Sequence, residues 1–550
     1  MVSDVPEEIW AADLVLVEGK IFTVDESDRV FEAVSVRDGK IQAVGSNDLI
    51  MSLVGEETEV INLRGMIVLP GFVDSHEHCI RRGLQFDWVD CSSPPMESIE
   101  DIVQALKEKS EEKQPGEWVI GTWFDETKLR ESRFPTKEDL DRASMENPIY
   151  LGRAGGHNAV ANSLALKIAG ISGDTPQPQG GHIEKVDGEP TGRLDELAAM
   201  NMVRKTIPDP EPEEAIDYMI ENWPTIEGML LSWGITTVHE AHIKAPEALA
   251  YQKILRDGNL RMRVGLMLDG MHPYDGYATS DLSRQGLTTG FGWGDRLYII
   301  GVKVGVDGAM GSLTAALTEP YANDPDNRGI IRIKEEDLTE EIVRCHKAGL
   351  RTCTHAIGDW AIDVALDALD EAVKSKLWPE HRHRIEHAGY VRDDQLLRMK
   401  ELGLAVSASI GFCYPIGDSH IDALGEQRLS GYYPMKSFKK HGIVAGGNSD
   451  GFGKNWALTG IYGCVTRLSS SGRSLGLDQS ISAIDAIRAY TVNGAYLEGT
   501  EDVKGSIEPG KLADLVILDT DIVNGHPEEI LKANVVKTIV GGEVVYESDI

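Results

Sequence analysis

Short apolar segments separated by turn residues occupy both ends of the chain. Residues 13–25 (DLVLVEGKIFTVD) and 33–45 (AVSVRDGKIQAVG) each contain two apolar runs around a Glu-Gly or Asp-Gly pair, and residues 535–546 repeat this form around Gly-Gly. Such pairs between apolar runs are typical of β-hairpins. The pattern predicts a small β-sandwich domain assembled from both termini, residues 1–68 and 497–550.

The middle of the chain alternates apolar runs with helical stretches. Seven candidate strands follow an opening strand, at residues 234–241, 261–268, 297–308, 352–359, 383–389, 404–410 and 443–450. Stretches with helical periodicity lie between most of them, as at residues 213–234, 334–349 and 358–375. Eight strands that alternate with helices predict an α/β fold, a (β/α)8 TIM barrel. We assign this barrel to residues 69–496.

One connection of the barrel is too long for a single βα unit. Residues of about 85–215 separate the first strand from the second, and they contain apolar and helical segments of their own. Barrel active sites lie at the C-terminal ends of the strands, which is where this connection begins. We therefore expect an inserted lid region above the site.

The composition limits the partners of the chain. Lys and Arg number 54 against 89 Asp and Glu, a formal net charge of −35. Nucleic acids and anionic membranes bind cationic surfaces, so we expect neither as a partner and favour a small-molecule substrate. We expect no secretory signal and no membrane span, and six scattered cysteines indicate reduced thiols in a cytoplasmic protein. The oligomeric state stays open, and a homo-oligomer such as a dimer is compatible with the sequence.

Polar residues end the first predicted barrel strand in the motif DSHEHC, residues 74–79. His76 and His78 are two apart, so on a strand they point the same way. Neutral imidazole is a common ligand of divalent metals. The alternative is a pair of surface histidines in a turn, but the apolar residues 66–73 before the motif indicate a buried strand. The pair predicts a metal site at the end of this strand.

Other strand ends carry compatible side chains. We expect strand two to end at His239, strand five at His355, strand six at His387 and strand eight at Asp450. Histidines on consecutive strands that join a His-x-His pair favour metal binding over a purely structural role. A carboxylate at strand eight can touch a metal and accept a proton from water, whose pKa falls to about 7 on zinc. The alternative for Asp450 is an N-cap of the following helix.

Two charged features of the strands admit more than one interpretation. Lys303 alternates with valines in strand four and should point into the barrel. Burial should lower its pKa, and a neutral amine can capture CO2 to form a carbamate that bridges two metals. The alternative is an ion pair with Asp307 or Glu240. Arg384 and Glu386 we interpret as a structural ion pair rather than as support for a metal ligand.

Together these motifs resemble the amidohydrolase superfamily, specifically the amidohydrolase-3 branch that includes YtcJ-like proteins and N-substituted formamide deformylase. The similar segments fall in family order over essentially the whole chain and include LPGFVDSHEH, VKVGVDGAMGSLTAAL, THAIGD, HRIEH, NSD and KGSIEPGKLADLVILD. The resemblance implies the barrel, the β domain and one or two zinc-type metals, with Mn, Co or Fe as alternatives. It also implies roles: metal ligands His76, His78, Lys303 (as its CO2-derived carbamate), His355, His387 and Asp450, with Asp450 as general base.

The lid offers two substrate-binding candidates. His157 resembles a family position near the substrate carbonyl, whereas Trp123 suits a substrate wall and the interior of the lid equally. The sequence thus predicts a metal-dependent hydrolase of an amide-type C–N bond in N-acyl or N-formyl amines. One alternative is hydrolysis of an ester, lactone, carbamate or cyclic amide with the same metals. Another is a catalytically silent binding or regulatory protein on the same scaffold.

Overall fold

A parallel barrel occupies the middle of the chain. The computed structural model describes residues 11–85, 88–154, 156–178, 180–208, 211–270, 287–375, 378, 380–451 and 455–549. The barrel strands are β1 (Phe72–Glu77), β2 (Ile235–Ile243), β3 (Arg263–Asp269), β4 (Leu297–Gly305), β5 (Thr352–Ala356), β6 (Arg384–His387), β7 (Ala405–Ala408) and β8 (Ala445–Gly447). Neighbours pair in this order and all pairs are parallel. The Ser75 hydroxyl donates to the Gly447 carbonyl at 2.8 Å and links the last strand to the first. The predicted α/β barrel is confirmed.

The strands are buried because helices cover the outside of the sheet. All seven residues of β3 and all six of β1 are buried, which is typical of parallel strands. The helices of this region are Pro212–Ser232, Ala245–Arg256, Glu335–Lys347, Asp359–Val373, Asp393–Glu401, Cys413–Leu424, Met435–His441, Trp456–Thr466, Ala483–Ala489 and Val492–Glu498. Acidic residues in the first turn and basic residues in the last turn of Glu335–Lys347 complement the helix dipole. Each of the three predicted helical stretches corresponds to one helix.

Strand β2 differs from its prediction. It continues to Ile243, and a register irregularity between Glu240 and Ile243 interrupts its pairing with β3. His242 in this bulge has a φ of 56°, in the left-handed region. The sequence predicted His239 at the end of this strand. Because of the bulge, His239 is instead buried inside the barrel, and His242 lies at the strand end.

The two chain ends form two further sheets. The four-stranded sheet contains Lys40–Gly45, Ala33–Arg37, Leu14–Val17 and Glu59–Asn62, and the six-stranded sheet contains Glu543–Glu547, Val535–Val540, Leu515–Leu518, Ile67–Pro70, Lys20–Phe22 and Val30–Phe31. Strand Ile67–Pro70 pairs antiparallel with Leu515–Leu518 and so joins the two ends of the chain. Leu16, Val34 and Ile517 belong to one apolar core that both sheets share. The β-sandwich from both termini is confirmed, and its limits at residues 68 and 497 stay a prediction. Residues 1–10 of the predicted domain lie outside the described residues.

The long connection after β1 folds into a layer of its own. Its mixed sheet contains His182–Val186, Glu189–Asp195, Asn158–Ala161, Ile149–Arg153, Val119–Phe124 and Val89–Asp90, with helices Ile99–Glu111, Lys137–Asp141, Ser163–Ile168 and Glu196–Arg204. Ile102, Leu106 and Leu151 are fully buried in a core separate from that of the barrel. Among the described residues, every helix is too short or too polar to cross a membrane.

A buried ion pair connects the barrel to the terminal sheets. Arg263 at the start of β3 donates to the Asp514 carboxylate from Nε at 2.6 Å and from Nη2 at 2.9 Å. Burial would raise the pKa of Asp514, but the Arg263 guanidinium outweighs it and lowers that pKa. Both side chains are almost fully buried. The carboxylate is therefore ionised and serves as the main partner of Arg263.

We expect Asp514→Ala to lower the free energy of unfolding by about 3–5 kcal/mol, because it leaves a buried guanidinium with only an exposed partner, Asp295. Urea unfolding followed by circular dichroism measures this. Lys374→Ala breaks exposed pairs with Asp370 and Glu371 and is the control, with an expected cost below about 1 kcal/mol. Equal losses in the two variants would show that the buried pair contributes no more than a surface pair.

Candidate metal centre

His76 and His78 present the same ring nitrogen to one side of the barrel mouth. Nδ1 of His76 contacts the Glu386 carboxylate, and Nδ1 of His78 lies 3.2 Å from the carbonyl oxygen of Ala241. These partners accept hydrogen bonds, so each neutral ring carries its hydrogen on Nδ1 and keeps a lone pair on Nε2. Burial lowers the pKa of both rings well below the usual histidine value. Both rings are therefore in the form that binds metals.

Asp450 lies next to this pair, in the loop after β8. His76, His78 and Asp450 bring three ligand atoms within 4.8 Å of one another, and His78 Nε2 lies 3.4 Å from Asp450 Oδ1. Burial raises the pKa of Asp450 to about 7, with Lys303 lowering it and Glu77 raising it further. The helix that follows has Asn455 at its N-cap position, so Asp450 does not cap it.

Lys303 of β4 points into the barrel. Its side chain is almost fully buried, and Nζ donates a hydrogen bond to His76 Nε2 at 2.8 Å. Burial lowers the pKa of this amine to about 8, while the carboxylates of Glu386 and Asp450 raise it. The same atom of His76 that would bind a metal thus faces Lys303.

The carboxylates considered as partners of Lys303 bind backbone groups. Asp307 accepts hydrogen bonds from the backbone N–H groups of Ala316, Ile357 and Gly358. Glu240 accepts from the N–H groups of Cys79 and Ile80 and from the Tyr251 hydroxyl. Burial raises the pKa of each carboxyl to about 7. Both carboxylates are thus occupied in holding the backbone.

His355 and His387 extend the row of imidazoles. The ring centres of His76 and His387 are 4.7 Å apart, and those of His387 and His355 are 4.5 Å apart. His355 donates from Nε2 to the Gly308 carbonyl at 3.0 Å, which leaves a lone pair on Nδ1. Burial lowers the pKa of both rings well below the usual value. The six predicted ligands therefore form one continuous group.

The two predicted substrate-binding residues occupy different surroundings. His157 holds the Glu196 carboxylate through Nδ1 at 3.1 Å, and its ring centre is 6.1 Å from that of His355. Trp123 lies beneath the Arg82 guanidinium, 5.3 Å from its ring centre. His157 borders the cavity beside the candidate metal centre, whereas Trp123 is absent from the described residues that line this cavity.

This cavity is narrow, with a volume of about 40 Å³. Its described lining residues are Arg153, Ala154, His157, Ala309, Met310, Gly311, Ser312, His355, Ile357, Phe412, Ile416, His420, Tyr433 and Asp450. Arg153 is bound by the Glu126 carboxylate through Nε at 2.7 Å and Nη2 at 2.9 Å. Its charge is thus neutralised, and the walls are mainly apolar.

Two contacts that support the candidate site differ from what the sequence predicts. Arg384 and Glu386 form the expected ion pair, but Glu386 also contacts His76 and therefore supports a predicted ligand. The bulge in β2 places His242 beside His78, with stacked rings 5.9 Å apart, and His242 Nδ1 lies 3.0 Å from Asp269. The HEAHI sequence of β2 contains His242, but only the bulge turns it towards the site.

The chain is similar to known proteins over nearly its whole length. Residues 59–546 match the Amidohydrolase family. N-substituted formamide deformylase of Arthrobacter pascens is 30% identical over 540 residues, which cover 97% of this chain and 98% of that one. The YtcJ protein of Bacillus subtilis (strain 168) is 32% identical over 541 residues, 96% of this chain and 98% of that one.

A solved structure agrees as well. The crystal structure of an uncharacterized metal-dependent hydrolase from Pyrococcus horikoshii OT3 superposes with a TM-score of 0.71 at 27% identity, covering 94% of this chain and 99% of that one. A family match that spans the barrel and relatives that match from end to end show that the chain belongs to the amidohydrolase family of metal-dependent hydrolases.

Proposed function

We propose that the protein hydrolyses the C–N bond of an N-acyl or N-formyl amine with a divalent metal held by His76, His78 and Asp450. The observation that carries this proposal is the convergence of three ligand atoms within 4.8 Å, with both histidines presenting Nε2. The full-length likeness to N-substituted formamide deformylase supports the choice of bond.

The residues fit a divalent metal. Two imidazole nitrogens and a carboxylate oxygen are ligands that Zn, Co, Mn and Fe accept, and burial keeps the imidazoles neutral. His355 and His387 supply two more neutral imidazoles within the same group. We therefore propose one or two ions, with zinc first and Mn, Co or Fe as alternatives.

Lys303 would complete the donor set as a carbamate. Its neutral amine attacks CO2, a C–N bond forms, and one proton leaves to solvent. The carbamate then offers two oxygen atoms that share one negative charge, whereas the amine offers a single nitrogen atom. Burial of Nζ beside His76 Nε2 supports this step, because it lowers the pKa of the amine to about 8.

A metal bound there supplies a Lewis acid that polarises the substrate carbonyl and lowers the pKa of water. Asp450 accepts the proton of the attacking water and passes it to the leaving nitrogen. Glu196 orients His157 through Nδ1, which leaves Nε2 free to approach the substrate carbonyl. Phe412, Ile416 and Met310 exclude water from the substituent on nitrogen.

Metal removal tests this function. We expect a chelator to lower hydrolysis of N-formyl and N-acetyl amines by about 10³-fold or more, because the metal supplies several kcal/mol of transition-state stabilisation. Zinc, manganese or cobalt should restore the rate. A panel of formamides, acetanilides, carbamates, esters and lactones, assayed by chromatography, separates the amide proposal from the same site acting on another bond. Protein that binds no stoichiometric metal and cleaves none of these compounds would instead be a silent binding protein.

The setting of the enzyme is also a proposal. All six cysteines are buried free thiols, which supports a reducing compartment such as the cytoplasm. We propose a small-molecule substrate, with no nucleic acid or membrane partner, on the basis of the net charge of −35. Chromatography with light scattering would decide between a monomer and the suggested dimer.

A further inference from the structure

We propose that Glu77, the residue between the two histidines of the DSHEHC motif, is a positioning residue that holds Asp450 in place. This inference rests on the proposed function, since it concerns the residue assigned there as general base and ligand. Side chains alternate along a strand, so Glu77 faces away from His76 and His78. It thereby reaches the loop after β8 from behind the metal centre.

Glu77 binds both neighbours of Asp450 with one oxygen. Its Oε1 accepts a hydrogen bond from the Gly451 N–H at 2.9 Å and another from the Ser449 hydroxyl. The side chain is fully buried. Hydrogen bonds to a buried carboxylate are strong and geometrically specific. One carboxylate oxygen therefore holds the Ser449 side chain before Asp450 and the Gly451 backbone after it.

The loop needs such support because its backbone is strained. Asp450 has a φ of 47°, in the left-handed region that is unfavourable for residues with a side chain. Gly451 follows with a φ of 78°. Without external contacts the loop would relax and turn the Asp450 carboxylate away from His78. The contacts to Glu77 oppose this relaxation.

Arg82 holds the other side of Gly451. Its Nη2 donates to the Gly451 carbonyl at 3.0 Å, and its guanidinium lies over the rings of Trp123 and Trp456 at 5.3 and 5.2 Å. A Cβ atom on Gly451 would lie 2.1 Å from Arg82 Nη2 and would displace this guanidinium, and the φ of 78° favours glycine at this position. Trp123 thus joins the lid to the same loop. The N–H and the carbonyl of Gly451 are thus both hydrogen-bonded, to Glu77 and to Arg82. Of these two side chains, Glu77 also accepts a hydrogen bond from Ser449.

Three variants of the full-length protein separate positioning from bulk stability. Glu77→Gln keeps an acceptor oxygen at the same reach, and Glu77→Asp keeps the charge but shortens the side chain by about 1.5 Å. Glu227→Gln is the matched control. Glu227 is also buried and also accepts two hydrogen bonds with one oxygen, here from the N–H groups of Arg261 and Met262, but at the opposite end of the barrel.

Titration with Co²⁺, followed by visible absorption, reads the ligand set without any substrate. We expect Glu77→Asp to weaken Co²⁺ binding by about 10–100-fold, as loss of a supporting contact does, and Glu77→Gln to stay within about threefold of the parent. With substrate, kcat should fall in the same order while KM stays within about twofold. Glu227→Gln should lower only the melting temperature.

Specific results of these measurements would overturn the positioning role of Glu77. Unchanged Co²⁺ binding in Glu77→Asp overturns the proposal. A Glu77→Gln variant as impaired as Glu77→Asp also overturns it, since an acceptor oxygen at the original reach would then not be enough to hold Asp450. If Glu77→Asp fails to fold, Ser449→Ala removes one of the two contacts and should weaken Co²⁺ binding in the same direction, whereas no change refutes the proposal. Parent protein that binds Co²⁺ but hydrolyses nothing contradicts the proposed function and leaves the Co²⁺ titration of Glu77 valid.

Discussion

Replacement of Lys303 by alanine should reduce hydrolysis by about 10³-fold or more, because it removes a ligand from a centre that supplies several kcal/mol of transition-state stabilisation. Acetate or propionate should restore part of the activity, since a small carboxylate can occupy the space of the lost carbamate. The measurement is kcat/KM for the best formamide or anilide, with and without added carboxylate, at constant metal concentration. The buried amine beside His76 gives this prediction its structural basis.

Lys504→Ala is the matched control for that experiment. Lys504 is as buried as Lys303, but its amine binds Glu498 and Thr237 at 2.7 Å each. Its loss should destabilise the protein, and added carboxylate should bring no recovery. Full activity in Lys303→Ala, or equal recovery in both variants, would contradict the carbamate.

Asp450→Asn should lower kcat by about 10²–10⁴-fold, the usual contribution of a positioned general base, while KM changes little. The asparagine keeps the size of the side chain but cannot accept a proton at neutral pH. Steady-state kinetics, together with metal analysis of the same sample, measures the effect. Asp450→Glu is the companion variant, because it keeps a carboxylate base but displaces it. Its kcat should lie between those of the parent protein and Asp450→Asn. A rate within about tenfold of the parent in Asp450→Asn would mean that another group accepts the proton.

The barrel could be predicted from the sequence because two signals coincide at several of its strands. Apolar runs marked all eight strands, and polar residues lie at or near the C-terminal end of several of them, as His76 and His355 do. Parallel strands bring their C-terminal ends to one edge, so residues far apart in the chain could be placed together without coordinates. Their exact catalytic roles stay a prediction.

Other features could not be predicted because they depend on contacts between distant segments. The bulge that exchanges His239 for His242 arises from the register of β2 against β3, which no local pattern encodes. Glu386 has the same appearance in the sequence whether it binds only Arg384 or also His76. The contact between Trp123 and Arg82 likewise depends on how the lid packs against the barrel.

The pairing between strands from the two ends of the chain has a consequence for folding during synthesis. Strand Ile67–Pro70 pairs with Leu515–Leu518, and the Gly71 N–H donates to the Asp514 carbonyl at 2.8 Å, directly before the strand that carries His76. During synthesis the strand that carries His76 and His78 emerges early, but the strand that supports it, Leu515–Leu518, emerges almost last. We therefore expect a nascent chain to hold these histidines without a rigid base, and the proposed metal to bind only after synthesis of the chain has ended.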